Sequence, residues 1–99
     1  MWYHNFMKQA QEILCGVCIF KEGKLYVSYS PQLDLASCGK TVSEAKKNFA
    51  EAFSGFVQTA NEQGTLEQIL EEAGYQKKGA SWVAPKLLNI ETLSLSLSH

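Results

Sequence analysis

The chain contains no arginine: all nine basic residues among its 99 are lysine. Arginine supplies the planar fork that reads guanine edges and grips phosphate through paired hydrogen bonds. The formal net charge is also only −1. The basic footprint of a nucleic-acid binder is therefore missing, and direct binding of DNA or RNA is not expected. Aspartate occurs once, at Asp34, and the two histidines stand at the chain ends, His4 and His99. General acid–base catalysis usually draws on an embedded histidine or paired carboxylates. A two-metal nuclease needs several converging carboxylates, and a Ser or Cys nucleophile needs a neighbouring base. Only Glu22 and Asp34 lie near predicted strands, while most glutamates fall on or beside predicted helices. Phosphate-cradling glycine patterns are missing as well. The residues predict no enzyme and no cofactor.

Long apolar runs are also lacking. The first, Ile13 to Phe20, is bounded by Glu12 and Lys21 and is too short to span a membrane. It has neither the basic start nor the small-residue cleavage site of a secretory signal. The expectation is a cytoplasmic protein with reduced thiols and no membrane association; Met7 is an alternative start to Met1. Cys15-Gly16-Val17-Cys18 has the spacing of a metal or redox pair. A zinc site takes four ligands, however, and no second pair exists. On a strand, residues three apart point to opposite faces. Cys15, Cys18 and Cys38 are thus expected to be small apolar thiols, and no metal site is predicted.

What is present suits one small α+β domain: 45% hydrophobic and 19% charged residues are ordinary for a globular chain. Residues 1–12 read as an N-terminal extension with one loose helical turn over Asn5 to Glu12, residues 13–74 as the core, and residues 75–99 as C-terminal strands. Ile13 to Phe20 reads as a strand, short and rich in β-formers. Lys21 to Lys24 is a Gly-containing turn, and Leu25 to Tyr29 a second strand with Leu25, Val27 and Tyr29 on one face. Pro31 stops that strand or places it at an edge, and Leu33 to Cys38 continues the meander.

Thr41-Val42-Ser43-Glu44 has the capping-box pattern, with Glu44 reaching back to the helix start. Ala45, Phe49, Phe53, Phe56, Val57 and Ala60 then recur at helical spacing as a core-facing stripe. Gly64 is expected as a left-handed cap, and mid-helix Gly55 suggests close packing against it. Thr65 to Gln68 repeats the capping-box pattern, opening a short helix closed by Gly74. Tyr75 to Ala84 reads as a small hairpin ended by Pro85, with Trp82 either a lid or a contact residue. From Glu91 to Ser98 leucine and serine alternate strictly, the pattern of a half-buried strand. Such a strand completes its own sheet or exchanges with a second copy.

The run from Tyr26 to Ala45, anchored by Pro31, Leu33, Gly39, Thr41, Glu44 and Ala45, resembles the signature of HicB-like antitoxins. The likeness extends over roughly residues 13 to 75 and weakly to the tail. The resemblance implies a partial ribonuclease-H-like fold: a two-layer, three-stranded antiparallel meander, two helices, and short C-terminal strands. It also implies a homo-oligomer, dimer or tetramer, that neutralises a HicA-type toxin ribonuclease by steric occlusion. Many relatives carry a C-terminal DNA-binding domain, whereas here only short strands are expected after the second helix, so direct operator binding is not expected. The turn reads Gln-Leu-Asp-Leu-Ala-Ser rather than the Pro-Gly-Cys form, so the chain looks like the compact stand-alone subgroup. The expected partner-binding residues are Ser30, Pro31, Gln32, Leu33 and Asp34, on an exposed turn. A competing expectation is an orphan structural or adaptor oligomer that self-associates through Leu93, Leu95 and Leu97.

Overall fold

The computed structural model describes residues 11–98. The helical turn expected over Asn5 to Glu12 therefore lies outside the described residues, except that Glu12 is part of a strand. The chain runs β1 (Glu12–Ile13), β2 (Cys18–Glu22), β3 (Leu25–Ser30), β4 (Leu35–Gly39), α1 (Val42–Glu62), α2 (Leu66–Glu72), β5 (Gln76–Lys78) and β6 (Ser81–Val83). Strands β2, β3 and β4 form an antiparallel sheet in that order. A second sheet has the order β1-β6-β5, with β1 parallel to β6 and β5 antiparallel to it. The α+β architecture predicted from the sequence is thus present.

Gly23, at φ 62°, begins the two-residue turn between β2 and β3, the position where a tight hairpin needs a positive φ. This turn fixes the register that sets Cys18 opposite Tyr29 and Phe20 opposite Val27. The expected strand over Ile13 to Phe20 is instead two pieces separated at Leu14 to Val17. Gly16 breaks it, because its amide donates to Gln32 Oε1 at 2.9 Å rather than to a ladder. Glu12 and Leu14 turn to the other sheet and donate to Ala80 and Trp82 carbonyls at 2.9 and 3.0 Å.

Thr41 caps α1 as expected, its Oγ1 accepting from the Glu44 amide at 3.0 Å. The Glu44 carboxylate accepts from the Lys40 amide at 3.0 Å, one residue before the cap. Gly64 takes the left-handed conformation after α1, φ 74°, which lets the chain reverse into α2. The second capping box does not form. Only Gln63 and Gly64 separate Thr65 from the end of α1, so its amide and hydroxyl both turn back to the Ala60 carbonyl, at 2.9 and 3.4 Å. The packing expected against Gly55 is likewise missing: a Cβ there meets nothing within 4 Å.

The main core gathers Ala60 of α1, Leu66 and Leu70 of α2, Tyr75 and Trp82, with Ile13, Leu33 and Val57 at its margin. Trp82 is accordingly a core residue, 4% exposed, with Lys77 Nζ 5.7 Å from its ring centroid. In the aromatic stripe Phe49 is buried while Phe53, Phe56 and Val57 are half-buried. The strand expected over Glu91 to Ser98 does not form within the chain. Residues 84–98 contain no helix or strand, and all of 85–98 are exposed. Alternation alone cannot make a strand where no neighbouring edge supplies hydrogen bonds.

Candidate functional site

Cross-strand partners share a face of the sheet, so the register divides β2–β4 into two sides. One side carries Ser28, Ser30 and Gly39, and α1 lies against it. Ser28 Oγ donates to the Ala45 carbonyl at 2.9 Å, and a Cβ on Gly39 would stand 2.6 Å from the Ala45 amide nitrogen. Small residues here let helix and sheet approach closely; Ser28, Ser30 and Ala45 are 0% exposed.

The opposite side carries Cys18, Phe20, Val27, Tyr29, Ala36 and Cys38. Val27, Tyr29 and Cys18 are half-buried and Ala36 and Cys38 exposed. Phe20 is 50% exposed and Leu25, on the same side, 41%. Among the described residues the helix packed on this sheet is α1, and it covers the serine side. Among the described residues no helix packs on the apolar side, which leaves an apolar patch there.

The turn after β3 is less exposed than expected. Ser30 is fully buried, and its Oγ accepts from the Cys15 thiol at 3.0 Å. Gln32 is half-buried and spent on structure, accepting from the Gly16 amide and donating to the Pro85 carbonyl at 2.8 Å. Leu33 packs against the core. Pro31 and Asp34 alone remain exposed. Asp34 adopts φ 53°, and its carboxylate accepts from the Tyr29 hydroxyl at 2.9 Å. This bond, ahead of partial burial, raises the Tyr29 phenol above its ordinary pKa, and it ties the turn to the open face. A groove of about 280 Å³ beside the turn is lined by Pro31, Gln32, Ala73, Pro85, Lys86 and Leu87.

Cys15 lies outside the strands, so the face argument for the Cys15–Cys18 pair does not apply as expected. All three thiols are free. No group of three or more His, Cys, Asp or Glu side chains placed to hold a metal occurs among the described residues. No helix among them is long and apolar enough to cross a membrane. Leu93, Leu95 and Leu97 are 86%, 88% and 80% exposed.

The sequence groups Leu25, Val27 and Tyr29 on one face and points to the sheet beside the turn; which side α1 leaves uncovered it did not show. The signal for that side was present: the Gly23 turn sets the register, and Ser28, Ser30 and Gly39 mark where a helix can approach. Comparison with protein-family models, curated proteins and solved structures finds no match to this chain.

Proposed function

We propose that this chain is a non-catalytic, cytoplasmic docking module of the antitoxin type, which neutralises a small toxin ribonuclease by steric occlusion. The observation that carries the reading is the open apolar face of β2–β4, with α1 committed to the other side. Two further points support it. The sequence resembles the HicB-like signature at Pro31, Leu33, Gly39, Thr41, Glu44 and Ala45, and the α+β architecture is the kind that the resemblance implies. The partner surface is the open face around Tyr29 and Ala36, continued by Pro31 and Asp34. Ser30, Gln32 and Leu33 act indirectly, by holding the turn.

The test is co-expression with the adjacent small open reading frame, read by pull-down and growth rescue. Ala36→Lys places a charge on the face at an exposed position. The expected result is a complex and rescue with the wild type, both lost in the variant while its helical signal and melting are unchanged. Equal rescue by the variant refutes the surface; no complex and no rescue by the wild type refutes the function.

One observation favours a second reading, a homo-oligomeric structural or adaptor module. The tail from residue 86 to 98 is exposed throughout, with its leucines in strict alternation. Truncation after residue 91 tests it: an unchanged oligomer excludes the tail as the basis of assembly.

A further inference from the structure

The two edges of the β2–β4 sheet differ. Along β4, α1 lies against the strand, and Asn48 Nδ2 donates to the Cys38 carbonyl at 2.8 Å. Strand β2 pairs with β3 on one side, and among the described residues no strand pairs with its other side. An edge with unpaired amides and carbonyls is a template for another strand. At this edge Phe20, half exposed, faces the open apolar side.

The same chain carries a segment of matching pattern. Leu93, Leu95 and Leu97 alternate with Ser94, Ser96 and Ser98, so a strand made of them has one apolar and one polar face. Laid along β2, it would set the three leucines beside Phe20 and continue the open face by one strand. Within its own chain the segment is exposed throughout.

The tail itself argues for a second copy as occupant. Its three leucines are exposed within their own chain, and every copy carries both the tail and the β2 edge. Reciprocal docking doubles the buried area, toward the total of about 1,200–2,000 Å² in a stable dimer.

We infer that residues 91–98 of one chain add as a fourth strand to the β2 edge of a second copy, reciprocally about a two-fold axis. Exchange of identical segments is a low-cost route to such dimers. This rests on the self-association reading above and adds to it the place where the tail docks.

The test uses the full chain and three variants, by sedimentation and light scattering. The wild type is expected at twice the 11.0 kDa chain mass. The tail variant (Leu93→Ser, Leu95→Ser, Leu97→Ser) and the edge variant Phe20→Lys are each expected to be monomeric. Losing the burial of three leucines per tail should weaken dimerisation by about 100-fold or more. Phe20→Thr keeps strand propensity and should weaken the dimer in the same direction, a check should Phe20→Lys misfold.

Mixing the tail variant with Phe20→Lys supplies one intact edge and one intact tail, and is expected to give a mixed dimer. A monomeric wild type, including one whose tail folds on its own β2, overturns both the inference and the self-association reading. A tail variant that stays dimeric does the same. A dimer lost in the tail variant but kept in both Phe20 variants overturns the docking place alone. That outcome is the one expected if tails pair with each other, whereas a mixture that stays monomeric also overturns the docking place.

Discussion

Replacing Gly39 by alanine puts a Cβ 2.6 Å from the Ala45 nitrogen, 2.8 Å from the Glu44 carbonyl carbon and 2.9 Å from the Glu44 Cβ. Two of these are backbone atoms in the first turn of α1, and neither can rotate away. Relief requires α1 to lift from β4, stretching the Ser28–Ala45 and Asn48–Cys38 hydrogen bonds. Overpacking a core commonly costs about 1–3 kcal/mol, and a backbone clash belongs at the upper end. At about 4–8 °C per kcal/mol for a domain of this size, Gly39→Ala should lower the melting temperature by roughly 10–20 °C. Gly55→Ala is the internal control, because a Cβ there meets nothing and alanine gains about 1 kcal/mol over glycine in a helix. The assay is urea or thermal unfolding followed by circular dichroism. Opposite signs are predicted for the two glycines. A Gly39→Ala chain within about 0.5 kcal/mol of the wild type, the range of an ordinary surface change, would refute the close contact and with it the assignment of α1 to the serine face.

Three further outcomes follow from named side chains. Tyr75 is 4% exposed, and its hydroxyl makes no hydrogen bond of good geometry among the described residues; the Cys15 thiol lies beside it but donates to Ser30. Burying an unpaired hydroxyl costs about 1–3 kcal/mol, so Tyr75→Phe should match or exceed wild-type stability in urea unfolding; a clear loss would reveal a partner for the hydroxyl. Thr41→Ala removes a formed cap and should cost about 1 kcal/mol, within the usual range for caps. Thr65→Ala should cost less, since that hydroxyl makes no capping bond, and the reverse order would contradict the two helix starts. Tyr29 is raised by its bond to Asp34, so its contribution is present below the ordinary phenol pKa and lost as pH rises through the higher folded value. Ultraviolet titration should show both Tyr29 and Tyr75 ionising late in the wild type, Tyr75 chiefly because burial raises its phenol, and Tyr29 alone ionising earlier in Asp34→Asn; identical curves would contradict the bond.

The fold was legible where a local rule and a tertiary need agreed. Thr41, Glu44 and the spacing from Ala45 to Ala60 announced α1, and Gly23 announced the β2–β3 hairpin. Legibility failed where one residue had two claims on it. Thr65 has the composition of a cap, but the short link to α1 turns it back on Ala60. Gly16 sits in a β-rich run, yet its amide belongs to Gln32, a partner sixteen residues away that no local pattern reveals. The turn after β3 was half legible: Pro31 and Asp34 are exposed as expected, while the hydrogen bonds of Ser30 and Gln32 are long-range and draw those side chains inward. The open face was hidden for a different reason. Alternation groups Val27 with Tyr29, but which side a helix covers depends on steric room, here set by Gly39 and the two serines. The tail shows the converse case, a strand pattern without a strand, because pairing needs an edge as well as a sequence.

The account turns on the side of β2–β4 opposite α1 being a surface that a partner covers. Cys38 reports on it directly, as an exposed free thiol on that side. The decisive measurement is its alkylation rate in the purified chain and in any complex formed on co-expression with the adjacent small open reading frame. Marked slowing at Cys38 in the complex is predicted. An unchanged rate at Cys38 while the complex stays intact would contradict the claim.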